Sequence, residues 1–133
     1  MKRVHVIAGD PRKYKTRAFT LPIHRYKQKL ASSGVDVSVH YERLPPDLVE
    51  VDAIIIQDLA AEIQAKSGGI SGTLERLRSR TDRLIWYDTG DSSWAINATA
   101  LAHTDIYLKK QLLADRSKYV KPMLGGNILA ASM

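Results

Sequence analysis

Two carboxylates and three Ser/Thr hydroxyls crowd one short run, Leu84-Ile85-Trp86-Tyr87-Asp88-Thr89-Gly90-Asp91-Ser92-Ser93. Asp88 and Asp91, three residues apart, can hold Mg²⁺, accept bonds from sugar hydroxyls or take a proton as a general base. Thr89 and Ser92 can bond a phosphate, and the backbone N–H groups of a helix starting here favour an anion. The same residues also suit plainer work, with Asp91 or Ser92 as a helix N-cap and Asp88 as a turn former. Further on, Lys109, Lys110, Arg116 and Lys118 with Asp115 can form an anion-binding rim, or a solvated helix face with local ion pairs. Ser67-Gly68-Gly69-Ile70-Ser71-Gly72 precedes a helical pattern and can cradle a phosphate, although surface loops share that composition. The four histidines, His5, His24, His40 and His103, lack metal-ligand spacing, and cysteine is absent, so no zinc site is expected. The dinucleotide fingerprint, the Walker phosphate loop and the nucleophile elbow are missing.

The elements that would position these groups follow from periodicity. Apolar runs predict strands over residues 3–8, 35–40, 52–57, 83–87 and 105–108. The second alternates, as an edge strand does, and the third is apolar on both faces, as a central one is. Helical spacing predicts a first helix with Pro22 in its first turn, preceded by a basic loop over 12–17 and stopped at Gly34. Further helices are expected over 60–65, from about Thr73, over 94–103 and over 109–119, with one helical turn at 47–50. Pro122, Gly125 and Gly126 are expected to end regular structure. Strands alternating with helices predict a single α/β domain over 1–133, a doubly wound, mostly parallel five-stranded sheet of Rossmann-like or flavodoxin-like order with helices on both faces. The Asp88 turn then sits at the carboxyl end of a strand, where such sheets bind ligands.

Composition agrees. The chain has 133 residues, 44% of them hydrophobic and 26% charged, enough for a real core. No apolar run approaches the roughly 18 residues of a membrane span. With no signal-peptide pattern and no cysteine, the expected setting is cytoplasmic. The net charge of +6 comes from the first third, because residues 1–43 carry ten Lys/Arg against Asp10, Asp36 and Glu42. Such a stretch can attract phosphates or an anionic surface. The lack of an aromatic ladder argues against a nucleic-acid partner.

The run Trp86 to Ser92, then Asp105-Ile106-Tyr107-Leu108-Lys109-Lys110-Gln111, Asp115-Arg116-Ser117-Lys118-Tyr119 and Gly125-Gly126-Asn127, resembles a group of bacterial and phage-encoded glycosyltransferase-like proteins. Ala8-Gly9-Asp10-Pro11 with Lys15-Thr16-Arg17-Ala18-Phe19 looks like their start. The likeness covers nearly the whole chain and is weakest from Leu59 to Thr81. It implies the N-terminal Rossmann-like half of a GT-B-type enzyme, which mainly receives the acceptor while a C-terminal half binds the nucleotide sugar. On that resemblance Asp88 and Asp91 are the expected catalytic residues. Gly9, Asp10, Arg17, Thr89, Ser92, Lys109 and Arg116 are the expected substrate-binding ones. The expected partners are a nucleotide sugar, a glycan or small-molecule acceptor, and a C-terminal domain not contained in these 133 residues. Without that second wall the chain is expected to be inactive alone. A non-catalytic domain binding a phosphorylated ligand or a protein is the alternative.

The chain also resembles response-regulator receiver domains, with Asp58, Thr89 and Lys109 at the ends of the third, fourth and fifth strands. In that family these places belong to the phosphoacceptor, the switch hydroxyl and a lysine that bonds the phosphoryl group. Receivers have an acidic pair where this chain has Gly9-Asp10, and Lys-Pro where it has Lys109-Lys110.

Overall fold

The computed structural model describes residues 1–45, 48–64, 69–91, 95–110 and, as backbone, 128–130. Its strands are β1 (Lys2–Ala8), β2 (Val35–Tyr41), β3 (Ala53–Gln57), β4 (Leu84–Asp88), β5 (Ile106–Lys109) and β6 (Ile128–Ala130). Its helices are α1 (Tyr14–Ser32), α2 (Asp58–Gln64), α3 (Gly69–Arg78) and α4 (Ala98–His103). All the strand pairs are parallel, in the order β2-β1-β3-β4-β5-β6. The expected Rossmann-like sheet, with helices on both faces, is therefore present, with β2 at one edge and β3 inside. The short β6 lies beyond Gly126, past the point where regular structure was expected to end; it is placed by pairing with β5 rather than by any local pattern.

The order reverses between β1 and β3. From β1 the chain steps outward to β2, then crosses back to β3 and proceeds the other way. At such a switch point the connections leave on opposite faces and open a crevice above the carboxyl ends of the strands. Strand alternation sorts the core accordingly. Ile7, Ile54, Ile56, Leu84, Trp86 and Tyr107 face α2, α3 and α4, where Leu74, Leu77 and Leu101 meet them. Val6, Ala8 and Val37 face α1 and its Phe19, with Ile23 and Leu30 packed alongside. The second cluster is the smaller, and it leaves Ile55, Tyr87 and Leu108 half-buried.

Several boundaries differ from the sequence expectation. Helix α1 begins at Tyr14, so the expected basic loop over 12–17 is largely helical and Pro22 lies inside the helix. Thr16, Phe19 and Thr20 are buried, and that tertiary packing carries the helix through the proline. The Ala18 carbonyl, which loses its donor to Pro22, belongs to an exposed residue. Helix α3 begins at Gly69, four residues early, and takes in the second half of the Ser67–Gly72 stretch. Helix α4 begins later, at Ala98, because Asn97 caps it by accepting from the Ala100 N–H at 3.0 Å. Residues 48–50 form no helical turn. Residues 111–119 of the expected last helix lie outside the described residues.

At the amino ends of the strands Asp105 ties three elements together. Its carboxylate accepts from the Leu84 N–H at 2.8 Å and from both terminal nitrogens of Arg78 at the end of α3. The Arg78 guanidinium holds the Asp105 carboxyl below its usual range. An acid whose folded pKa is depressed stabilises the fold above its unfolded value, near pH 4, and loses that contribution as pH falls through the folded value. Asp105→Asn is expected to cost about 1 kcal/mol at neutral pH, both partners being partly exposed. It should also flatten the fall in melting temperature below about pH 4. Equal acid slopes for the two proteins would remove Asp105 from the acid response.

Candidate functional site

The carboxyl ends of β1, β3 and β4 are joined through one buried amide. Gln57, the last residue of β3, has no exposed surface. Its Oε1 accepts from the Gly9 N–H at 2.9 Å and lies 3.3 Å from the Thr16 hydroxyl. Its Nε2 donates to Thr89 Oγ1 at 3.3 Å. Thr89 in turn donates through its hydroxyl (2.6 Å) and its N–H (3.1 Å) to Asp58 Oδ1. Gly9 is required here by space rather than by backbone conformation, since a Cβ would stand 2.9 Å from Leu59 Cβ at the start of α2. The turn after β1 and the start of α2 thus touch directly over the switch point.

Asp88 stands in a cage of donors. The parallel register sets it beside Lys109 of β5. Its Oδ2 accepts from the Tyr107 hydroxyl at 2.7 Å and from Lys109 Nζ at 3.3 Å, and its Oδ1 accepts from the Gly90 N–H at 2.8 Å. Lys109 also donates to the Ala95 carbonyl at 2.7 Å, and the Asn97 N–H donates to the Tyr107 oxygen at 3.1 Å. The cage thereby fixes the chain as it approaches α4. Burial pushes the Tyr107 hydroxyl well above the usual phenol range, with Asp88 adding to the shift, so it remains a donor at neutral pH.

Asp91 is arranged differently. It is exposed and bridges two lysines, Lys15 of α1 at 3.1 Å and Lys110 at 3.2 Å. Their ammonium groups hold its carboxyl below the usual range. Asp58 shifts the other way: burial raises its pKa, against the Thr89 bonds, and the nearby Asp88 charge adds to the rise. Asp58 is therefore a carboxylate at this edge with raised basicity. Asp10 turns outward to Arg12, whose bonds lower its pKa to about 2. Arg17 is exposed and donates to the Arg12 carbonyl.

Of the residues marked out from sequence, Gly9, Asp88, Thr89, Asp91 and Lys109 do meet along the strand ends. Asp10 and Arg17 join a separate turn with Arg12. Ser92 and Arg116 lie outside the described residues. Lys109 is buried against Asp88 rather than standing on a rim, which falls to Lys110. Asp58 appeared in sequence as a receiver-like residue alone, and Gln57 and Tyr107 drew no functional reading. The available signal was Gln57-Asp58 itself, an amide and an acid closing an otherwise apolar strand. Among the described residues no three His, Asp or Glu side chains gather as a metal site.

A cavity of about 550 Å³ opens beside this edge, between α1 and the α1-facing side of β3, β4 and β5. Phe19, Ile23, Ile55, Tyr87 and Leu108 form its walls, with Lys15, Thr89 and Lys110 also lining it. No family model, curated protein or solved structure matches the chain. The Rossmann-like architecture is that of a general ligand-binding α/β domain, and the chemistry of its site must be argued from these residues.

Proposed function

We propose that the domain forms one wall of a sugar-transfer cleft over the carboxyl ends of β1, β3 and β4. A nucleotide sugar and a hydroxyl acceptor are its ligands, and a second domain is the facing wall. The sequence resemblance supports this reading, and so does the meeting of Gly9, Asp58 and Thr89 at the switch point. The carrying observation is the placement of Asp58 at the switch point, a half-buried carboxylate that accepts from both the Thr89 hydroxyl and its N–H; burial there raises its pKa and suits it to take a proton from an acceptor hydroxyl. Asp88, engaged by Tyr107, Lys109 and Gly90, positions the turn, and Asp91 sits at its exposed end.

The test is amide-resolved NMR of the chain titrated with a panel of nucleoside diphosphate sugars and free sugars. Saturable shifts at Gly9, Thr89 and Gly90 are expected for at least one ligand, weakened about tenfold in Asp58→Asn by loss of a charged hydrogen-bond acceptor. A panel that moves none of these amides would sink the reading. The strand order and the Asp58–Thr89 bond also favour the receiver-like alternative, while the engagement of Lys109 with Asp88 and Ala95 counts against it. Acetyl phosphate with Mg²⁺ separates the two: a phosphoryl mass gain that vanishes in Asp58→Asn would replace sugar transfer with phosphoacceptance.

A further inference from the structure

We propose that the cavity between α1 and the β3–β5 face binds an amphiphilic phosphate, an isoprenyl or alkyl chain ending in a phosphate monoester. In this proposal Asp91 is a resident anion that the phosphate displaces from Lys15 and Lys110. The site goes beyond the sugar-transfer reading and stands on Lys15, Lys110 and the α1-facing side of the sheet, sharing Thr89 and Asp91 with that edge.

The cavity follows from the fold. Helix α1 packs over β1 and β2, and among the described residues no other helix reaches that face, so the floor lining at the ends of β3, β4 and β5 is largely apolar. Ile55 and Leu108 on the floor, with Ala18, Phe19 and Ile23 on the helix, have side chains with no hydrogen-bonding groups. These five side chains suit a hydrocarbon better than a nucleobase, whose polar edge would lose its water there with only the Tyr87 and Thr89 hydroxyls in the lining to replace it. The volume lies within the range of small-molecule sites.

The rim supplies the opposite character. Lys15 comes from the helix wall and Lys110 from the end of the sheet wall. Their side chains are 26% and 19% exposed, and both reach the same carboxylate, itself 59% exposed. Two largely covered ammonium groups therefore share a single negative charge held near water. A phosphate monoester carries close to two charges and three acceptor oxygens, which satisfies both lysines more fully than Asp91 does. Thr89 lines the same cavity and adds a hydroxyl. Asp91 is held ionised, so at neutral pH any anion entering must compete with it. It would then act as a selectivity filter that rejects weakly charged head groups.

The experiment is a titration of the 133-residue chain with geranyl phosphate, with geraniol and inorganic phosphate as its separate halves. Isothermal calorimetry gives the affinity, and amide shifts at Ala18, Tyr87 and Leu108 give the location. Geranyl phosphate is expected to bind more tightly than either half. Asp91→Asn, which keeps the shape and drops the charge, should tighten it about tenfold and leave geraniol unchanged. Lys15→Met with Lys110→Met should weaken it by about tenfold or more. Ala18→Trp, from an exposed position on the cavity wall, should block it without touching the core. Equal affinity of wild type and Asp91→Asn overturns the displacement. Inorganic phosphate binding as tightly as geranyl phosphate, or shifts away from the cavity, overturns the site. None of these outcomes depends on the Gly9 and Asp58 readout that tests sugar transfer.

Discussion

Lys109→Met is expected to cost the domain about 3 to 5 kcal/mol, the penalty typical of removing one partner from a buried ion pair. The Lys109 side chain is 1% exposed and that of Asp88 12%, so solvent screens neither appreciably. Methionine fills much of the lysine's volume but leaves the Asp88 charge without its cation and the Ala95 carbonyl without this donor. Tyr107 and Gly90 still bond Asp88, yet neutral donors do not balance a buried charge. A domain of this size has about 5 to 15 kcal/mol in all, so the variant should be close to unfolding. The double variant Asp88→Leu/Lys109→Met should recover part of the loss, because removing both charges also removes the unpaired one. Urea denaturation of the wild type, Asp88→Leu, Lys109→Met and the double variant checks this. If the double variant is destabilised by the sum of the single losses, the pair is not a coupled unit, and Asp88 holds its place through Tyr107 and Gly90 instead.

Gln57→Leu is the second large effect, expected at about 3 kcal/mol from loss of a buried amide with several partners. Leucine occupies a similar volume, so packing changes little and the loss is polar. The Gly9 N–H loses its acceptor inside the structure, and Thr89 Oγ1 loses a donor. The consequence reaches the site, because Gln57 is what links the turn after β1 to the turn after β4. Hydrogen exchange at the Gly9 amide should be slow in the wild type and fast in the variant, even under conditions where β1 stays protected. Thr89→Val is the companion: it removes the hydroxyl bond to Asp58 while keeping the Gly9 acceptor, and should be milder. Should Gln57→Leu lie within about 0.5 kcal/mol of the wild type, as neutral surface changes do, Gln57 would be no hub.

The acid limb set by Asp105 should be read apart from both. Its contribution disappears on acidification, whereas Asp58, whose folded pKa is raised, disfavours the fold more once pH rises above its unfolded value.

The local pattern of residues determined where β1 to β5 and the cores of α1 to α4 would form. Ile54-Ile55-Ile56 and Leu84-Ile85-Trp86 are apolar on both faces, so they can exist only inside a covered sheet. Gly34 and the turn after Asp88 mark ends that local chemistry alone dictates. The crowding of Asp88, Thr89 and Asp91 at a strand's carboxyl end was legible for the same reason. Only the tertiary structure decided what those groups face. Periodicity says that Asp88 and Lys109 each close a strand, but the register of β4 against β5 pairs them and turns a presumed rim lysine into a buried counterion. It says nothing of whether a helix can run through Pro22, which the burial of Thr16, Phe19 and Thr20 settles. The strand order is likewise tertiary, and it brings the apolar side chains of Ile55 and Leu108 into one cavity with Lys15 and Lys110. Spacing along a chain encodes interactions over a few residues, whereas a site's charge pairs and cavity arise between segments tens of residues apart.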